Sequence, residues 1–422
     1  MKIAFFNTTI TPPVGTLLAG YAAHDVSVAQ RGELIASVLC MDDGSRRASM
    51  IGLDLIGMDA PYIQRLRREC AAMLGSSEAD VIVTCTHTHG GPHTRSSSSS
   101  PADDVYTNDI IGKITDDLKK MLARDEFTET EVFFYSAQVN ANVNRRYCGA
   151  ENIARFIPHF RDMEKIADGP VDPEVGMLFF FIPGTADPAY AIVNYAAHPL
   201  ASHSPGRGGH TLTPDFPALI RDRVRSDTGA ECMFVSGACG DLCPRDSEAG
   251  FAAAEMLADP VARAVVGGMV SSSRNRKWFQ MKDAKLASAI RTFEVPLRKG
   301  VNSADAQMPV YLGKDRIETE VQVLSVGEIC FVGVPGELLA EVGLEIKWNS
   351  PFRRAFVLYN STGYLSYLCH VNAFVAGGYE SNCTPLDYRM SLQLVENAVD
   401  AMFEIHGPLQ QRPMYLPGDD LQ

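Results

Sequence analysis

The stretch 81–93, VIVTCTHTHGGPH, constrains this chain most, because an apolar β-branched run stops abruptly in three histidines and a Gly-Gly-Pro turn. Val81, Ile82 and Val83 predict a buried strand, and Gly90-Gly91-Pro92 predicts a turn that brings backbone close to another group. His87 and His89 are two apart, so an extended backbone points both rings the same way, and imidazole is the commonest metal ligand. Histidine pairs of this spacing also occur in loops that bind nothing. The remaining chain must therefore supply the partners.

Hydrophobic periodicity organises that remainder. Strands predicted at 34–41 and 48–55 flank Asp42-Asp43-Gly44-Ser45, a hairpin tip. A helix is expected over 60–74, capped by Asp59, with Pro61 in its first turn, Ile63, Leu66, Cys70 and Met73 on one face, and Gly75 at its end. Ser96–Ser100 reads equally well as a lid or a surface loop. Helical spacing returns over 105–122, 215–224, 252–269, where Pro260 should break it, and 386–405, stopped by Gly407. Between these lie strands near 132–137, 176–182, 189–196, 232–236, 286–296, 315–324, 329–334 and 355–359. Several of them, 81–85, 189–196, 232–236, 329–334 and 355–359, end in loops carrying His, Asp, Glu, Tyr or Gly. Ligands in α/β sheets bind beyond the carboxyl ends of strands. With no linker and no sequence repeat, these loops predict one site on one α/β domain, residues 1–407, a mixed β-sheet core flanked by helices, with 408–422 as a tail.

Composition excludes some partners. A formal net charge of -13 disfavours nucleic acid and anionic membrane surfaces, which need clustered Lys and Arg. No apolar tract is long enough to span a bilayer, and the start is too polar for a signal peptide. The expectation is a soluble, cytoplasmic protein with a small-molecule substrate; a homo-oligomer is compatible with it. The ten cysteines form neither a CxxC nor a dense disulfide spacing, so they read as reduced core residues.

His87, His198 and Glu337, with one further oxygen donor, would make a zinc site that keeps a position for water. Such water ionises near a pKa of about 7, which makes hydroxide available for hydrolysis. Taken singly, His198-Pro199 is equally a loop histidine, and Glu337 a carboxylate favoured at a helix start.

Joined in order, the motifs say more. THTHGGPH around His87, NYAAHP around His198, GACGDLCPR around Cys243, VPGE around Glu337, and STGYLSY to GGYE around Tyr367 and Tyr379 resemble the motif series of the neutral/alkaline, non-lysosomal ceramidases. TITPPVGTLLAGY and the stretch 139–145 fit the same series, and the resemblance spans about 9–380. It implies a zinc amidohydrolase acting on linear amides, with Zn2+ held by His87, His198, Glu337 and Tyr367. It also implies that His89, Arg145 and Tyr379 bind or polarise the amide and pass protons.

Two departures shape the expectation. Cys243 stands where the family has serine, and it could be a nucleophile, a soft metal ligand or an inert side chain. The family also continues into a β-sandwich domain that this sequence lacks, so a small soluble amide is expected rather than ceramide. Three rival readings stay open: a zinc esterase, lactonase or hydrolase of a sugar-derived linkage; a Cys243 acyl enzyme with His89 or His203 as base; and a binding protein without turnover. Asp54, Asp241, His203 and His210 are candidates for supporting positions around the site.

Overall fold

A computed structural model describes residues 1–20, 25–97, 101–148, 154–156, 169–200, 210–245, 247–301 and 303–407. The expected tail at 408–422 lies outside them. Within this range one arrangement occurs three times. An antiparallel meander of three strands is followed by a helix, a fourth strand parallel to the third, and a second helix.

The first unit uses Lys2–Thr9, Ile35–Asp42 and Arg47–Leu53, helix Ala60–Leu74, strand Val81–Cys85 and helix Asp104–Arg124. In the second, Glu131–Gln138, Glu174–Phe181 and Pro188–Tyr195 precede helix Phe216–Thr228, strand Glu231–Ser236 and helix Phe251–Arg274. The third unit runs through Leu286–Pro296, Arg316–Val326 and Ile329–Gly333, helix Ala340–Trp348, strand Arg354–Leu358 and helix Arg389–His406. Each sheet is ordered fourth, third, second, first; the first unit adds the short strand Thr128–Glu129 at its edge.

Strand alternation explains the packing, since successive side chains face opposite sides of a sheet. One face of every sheet enters a shared core, where Leu39, Met50 and Ile82 of the first unit meet Leu178, Ile192 and Met233 of the second and Leu324, Phe331 and Phe356 of the third. The other face of each sheet is covered by that unit's two helices. Helix Ala60–Leu74 buries Ile63, Leu66, Cys70 and Leu74. Met73, expected on that face, is exposed.

The fourth strands meet at the centre through a closed set of hydrogen bonds. Thr84 Oγ1 donates to the Tyr359 carbonyl (2.9 Å), Tyr359 N–H to the Ser236 carbonyl (3.0 Å), and Ser236 Oγ to the Thr86 carbonyl (2.7 Å). The three sheets are thereby pinned to one another just below the loops that carry the histidines. The α/β domain with a mixed-sheet core flanked by helices is therefore present as expected.

Three local expectations change. Asp59 makes no side-chain cap; its carboxylate accepts instead from Ser96 N–H and Oγ, which ties the loop after the histidines to the helix start. Pro260 does not break its helix, which runs through Phe251–Arg274. The ring frees the carbonyl four residues back, that of Met256, which lies on an exposed turn where water can satisfy it. His87 is not on extended backbone, because strand Val81–Cys85 has already ended and His87 adopts φ 68°. Among the described residues no helix is long and apolar enough to cross a membrane.

Candidate metal centre

Each unit supplies one donor from a loop at the carboxyl end of a central strand. His87 follows the fourth strand of the first unit, His198 the third strand of the second, and Glu337 the third strand of the third. Local backbone fixes all three. His87 N–H donates to the Leu55 carbonyl (2.8 Å), His198 N–H to the Leu242 carbonyl (2.9 Å), and Glu337 N–H to the Ser366 carbonyl (2.8 Å). A left-handed, non-glycine residue such as His87 is strained by about 1–3 kcal/mol, and strain of that kind concentrates where geometry serves a site. Gly336 is required beside Glu337, since a Cβ there would stand 2.6 Å from the Ser366 carbonyl oxygen.

The donor atoms converge closely. His87 Nε2 lies 3.1 Å from His198 Nε2, and Glu337 Oε2 lies 3.4 Å and 3.5 Å from those two nitrogens. The opposite ring nitrogens decide their protonation. His87 Nδ1 is 2.6 Å from the Ile56 carbonyl, with the Asn360 amide nitrogen 2.7 Å from the same ring atom, and His198 Nδ1 is 2.6 Å from the Cys239 carbonyl. A carbonyl only accepts, so the Ile56 and Cys239 carbonyls each favour the neutral tautomer with its proton on Nδ1 and a bare lone pair turned inward, while the Asn360 amide nitrogen opposes this at His87. Two lone pairs and a carboxylate oxygen facing one another repel unless a cation lies among them. Edges of 3.1–3.5 Å also match the roughly 3.3 Å edge of a tetrahedron with zinc bonds of about 2.0–2.1 Å. The donor set fits such an ion.

The electrostatics agree. Burial lowers the His198 ring to about 4, and this outweighs the opposing effect of Glu337, so the ring stays neutral. Burial alone would raise the Glu337 carboxyl; positive charge at His87 and hydrogen bonds donated by the two rings would hold it well below the usual range, a part that a bound cation takes over when the ring lone pairs face inward. Its two oxygens are also held by tyrosines: Tyr359 Oη donates to Oε2 at 3.1 Å, and Tyr364 Oη donates to Oε1.

His89 comes next, its ring 5.1 Å from that of His87 and 5.5 Å from that of His198, and the ligand atoms of the three histidines lie within 4.8 Å of one another. Gly20 packs against it at φ 99°, where a Cβ would reach 2.7 Å from His89 Nδ1. Arg145 is buried beside this group. Its Nε donates to Glu380 Oε1 (2.8 Å), its Nη2 to Tyr367 Oη (3.1 Å), and its Nη1 lies 3.9 Å from Cys243 Sγ. Arg146 donates to the other Glu380 oxygen at 2.6 Å. Tyr367 is the direct ladder partner of Glu337 and is edge-on to Tyr379, 5.7 Å between ring centres. Tyr379 is 47% exposed, with its ring centre 5.8 Å from the Arg145 guanidinium carbon. Burial raises the Cys243 thiol above its usual value, although Arg145 opposes this.

His87, His89, His198, Glu337, Arg145, Tyr367, Tyr379 and Cys243 thus belong to one neighbourhood. The supporting candidates scatter. Asp54 is paired with Arg221. Asp241 accepts from Asn144 (2.9 Å) and from the Ala340 N–H (2.8 Å), and burial raises it to about 6. His210 pairs at 3.6 Å with Asp25 and is half exposed. His203 lies outside the described residues. Tyr359 and Asn360 directly precede the STGYLSY motif, and Tyr364 and Glu380 lie within STGYLSY and GGYE, but the sequence alone does not single these four out from their motif neighbours as site residues.

Comparison with solved structures places this arrangement on a known fold. The chain is similar to the neutral ceramidase from Pseudomonas aeruginosa, with a TM-score of 0.75 and 16% identity over 95% of this chain and 74% of that one. A ceramidase complexed with C2 gives a TM-score of 0.76 and 14% identity at the same coverage. At such identities the likeness is one of fold, and this chain has the neutral ceramidase fold. No family model matches the sequence, and no curated protein matches it.

Proposed function

We propose that this chain is a zinc-dependent hydrolase of a non-peptide C–N amide in a small molecule. The observation that carries the reading is the triangle of His87 Nε2, His198 Nε2 and Glu337 Oε2, whose inward electron pairs call for a cation. The neutral ceramidase fold and the ordered motifs support an amide as the bond cleaved. A net charge of -13 suits a soluble substrate better than an anionic membrane face.

His87, His198 and Glu337 would hold the ion, with Tyr367 as a fourth donor from the strand paired with Glu337. Zinc bound there would acidify a water to a pKa of about 7 and polarise a carbonyl. The chain's own residues handle the remainder. His89 takes a proton from the attacking water and returns it to the departing nitrogen, so an acid and an amine leave. Arg145, fixed by Glu380, keeps its charge facing Tyr367 and stabilises negative charge developing on the carbonyl oxygen. Tyr379, at the rim, donates to the same oxygen. Cys243, buried against Arg145, stays an un-ionised thiol.

Metal analysis tests this reading. Protein purified without chelator should carry about one divalent ion per chain, and amide hydrolysis should stop with chelator and return with Zn2+. His87→Ala should lose both ion and activity. Retention of full metal content and full rate in that variant would overturn the ligand set.

A further inference from the structure

Arg95 departs from a rule that the fully buried arginines obey. Arg67 pairs with Glu320, Arg145 and Arg146 with Glu380, and Arg221 with Asp54. The partly buried guanidinium of Arg95 makes no ion pair or hydrogen bond among the described residues, and its Nε is fully enclosed without a partner. It lies on the face of Tyr364, 4.1 Å from the ring centre, and the hydroxyl of that ring donates to Glu337. The nearby acids are engaged elsewhere: Glu337 takes Tyr359 and Tyr364, and Asp305 takes the Ser366 hydroxyl. The backbone on either side is anchored, since Thr94 Oγ1 donates to the Gly57 carbonyl at 2.7 Å and Ser96 N–H to Asp59 at 3.0 Å. The cation is thus held one tyrosine ring from the metal centre with its donors unspent.

Leaving a guanidinium nitrogen enclosed without a partner is costly, and the planar fork of the remaining donors matches a carboxylate in two parallel hydrogen bonds. Resting on the amide-hydrolase reading above, we infer that the substrate is an amide bearing a carboxylate. Arg95 binds that carboxylate while the amide carbonyl lies at the metal centre. Arg95 is a specificity-determining residue, and a neutral long-chain amide would leave it unpaired.

Paired probes test this. The zinc-loaded protein would be assayed with N-acetylglycine against N-acetylglycinamide, which puts the acid on the amine side, and with succinamate against its methyl ester, which puts it on the acyl side. The expectation is a kcat/KM preference of roughly 100-fold for the acid in at least one pair, carried mainly by KM. In Arg95→Gln that preference should collapse towards parity, and Arg95→Lys should keep part of it. The same probes would be titrated by thermal shift, where the acid should raise Tm in wild type and not in Arg95→Gln. Equal treatment of acid and neutral probes by wild type, in turnover and in binding, would overturn the inference, and so would an unchanged preference in Arg95→Gln. Arg95-dependent binding of an acid without turnover would sustain the anion site and sink the hydrolase reading instead.

Discussion

Tyr364 holds Glu337 by the oxygen that faces away from the histidines: its hydroxyl donates to Oε1, while Oε2 points at His87 and His198. The carboxylate is thereby aimed, and a ligand aimed by an outer hydrogen bond binds metal better than one free to rotate. Tyr364→Phe keeps the ring and removes only this bond. Zinc affinity, measured by competition with a chromophoric chelator, should fall by about 10–100-fold, with Tyr359→Phe acting in the same direction. Unchanged affinity in both variants would show that the tyrosines do not orient Glu337.

Much of this arrangement is legible in the sequence. The helix expected over 60–74 appears as Ala60–Leu74 because its apolar spacing, first-turn proline and terminal glycine all agree. The motif residues His87, His198 and Glu337 converge as their strand-end positions imply. The threefold recurrence of the fold is not legible. It lies in strand order and connectivity, while the donor loops differ: His87 follows a fourth strand, and His198 and Glu337 follow third strands. Nor does sequence reveal the left-handed turn at His87, which depends on carbonyls of Leu55 and Ile56 brought in by the neighbouring strand. For Tyr364, the text STGYLSY offers two tyrosines three apart. Only the fold reveals that one reaches Glu337 and the other Arg145.

Cys243 provides a second test. A thiol nucleophile needs its pKa lowered and a base in contact. Here burial raises the pKa, and the neighbour within reach is Arg145, at 3.9 Å. The folded protein should therefore keep its activity after treatment with iodoacetamide at neutral pH, and Cys243→Ser should retain kcat within a few-fold. Loss of activity in step with alkylation of Cys243, confirmed by peptide mass, would restore the acyl-enzyme reading.

The pair of Asp54 and Arg221 makes a stability prediction. Asp54 Oδ1 and Oδ2 accept from Arg221 Nη1 and Nη2 at 2.9 Å and 2.6 Å, and Oδ2 also accepts from the Ile35 N–H at 3.1 Å. Both side chains are buried. Removing one partner strands the other charge away from water, so Asp54→Ala should cost about 3–5 kcal/mol in urea unfolding. Because Asp54 immediately precedes Leu55 and Ile56, whose carbonyls hold His87, the variant should also bind zinc more weakly. A loss below about 1 kcal/mol would mean that the surroundings relax around the unpaired arginine.

Two glycines separate site geometry from general stability. A Cβ on Gly240 would stand 2.7 Å from the Glu337 carbonyl oxygen and 2.9 Å from that of Leu338, both backbone atoms that cannot swing aside. Gly240 N–H also donates to the Leu338 carbonyl at 2.8 Å, so the contact cannot be relieved by separating the loops without breaking that bond. Gly240→Ala must therefore displace Glu337 from the histidines. At Gly267, inside helix Phe251–Arg274, an added Cβ would meet nothing within 4 Å, so alanine there should stabilise by up to about 1 kcal/mol through helix propensity alone. Combining the two should return up to about 1 kcal/mol of the unfolding free energy lost in Gly240→Ala and none of its zinc affinity. If Gly267→Ala rescued metal binding as well, the Gly240 effect would be one of global stability, and its contact with the Glu337 backbone would not govern the site.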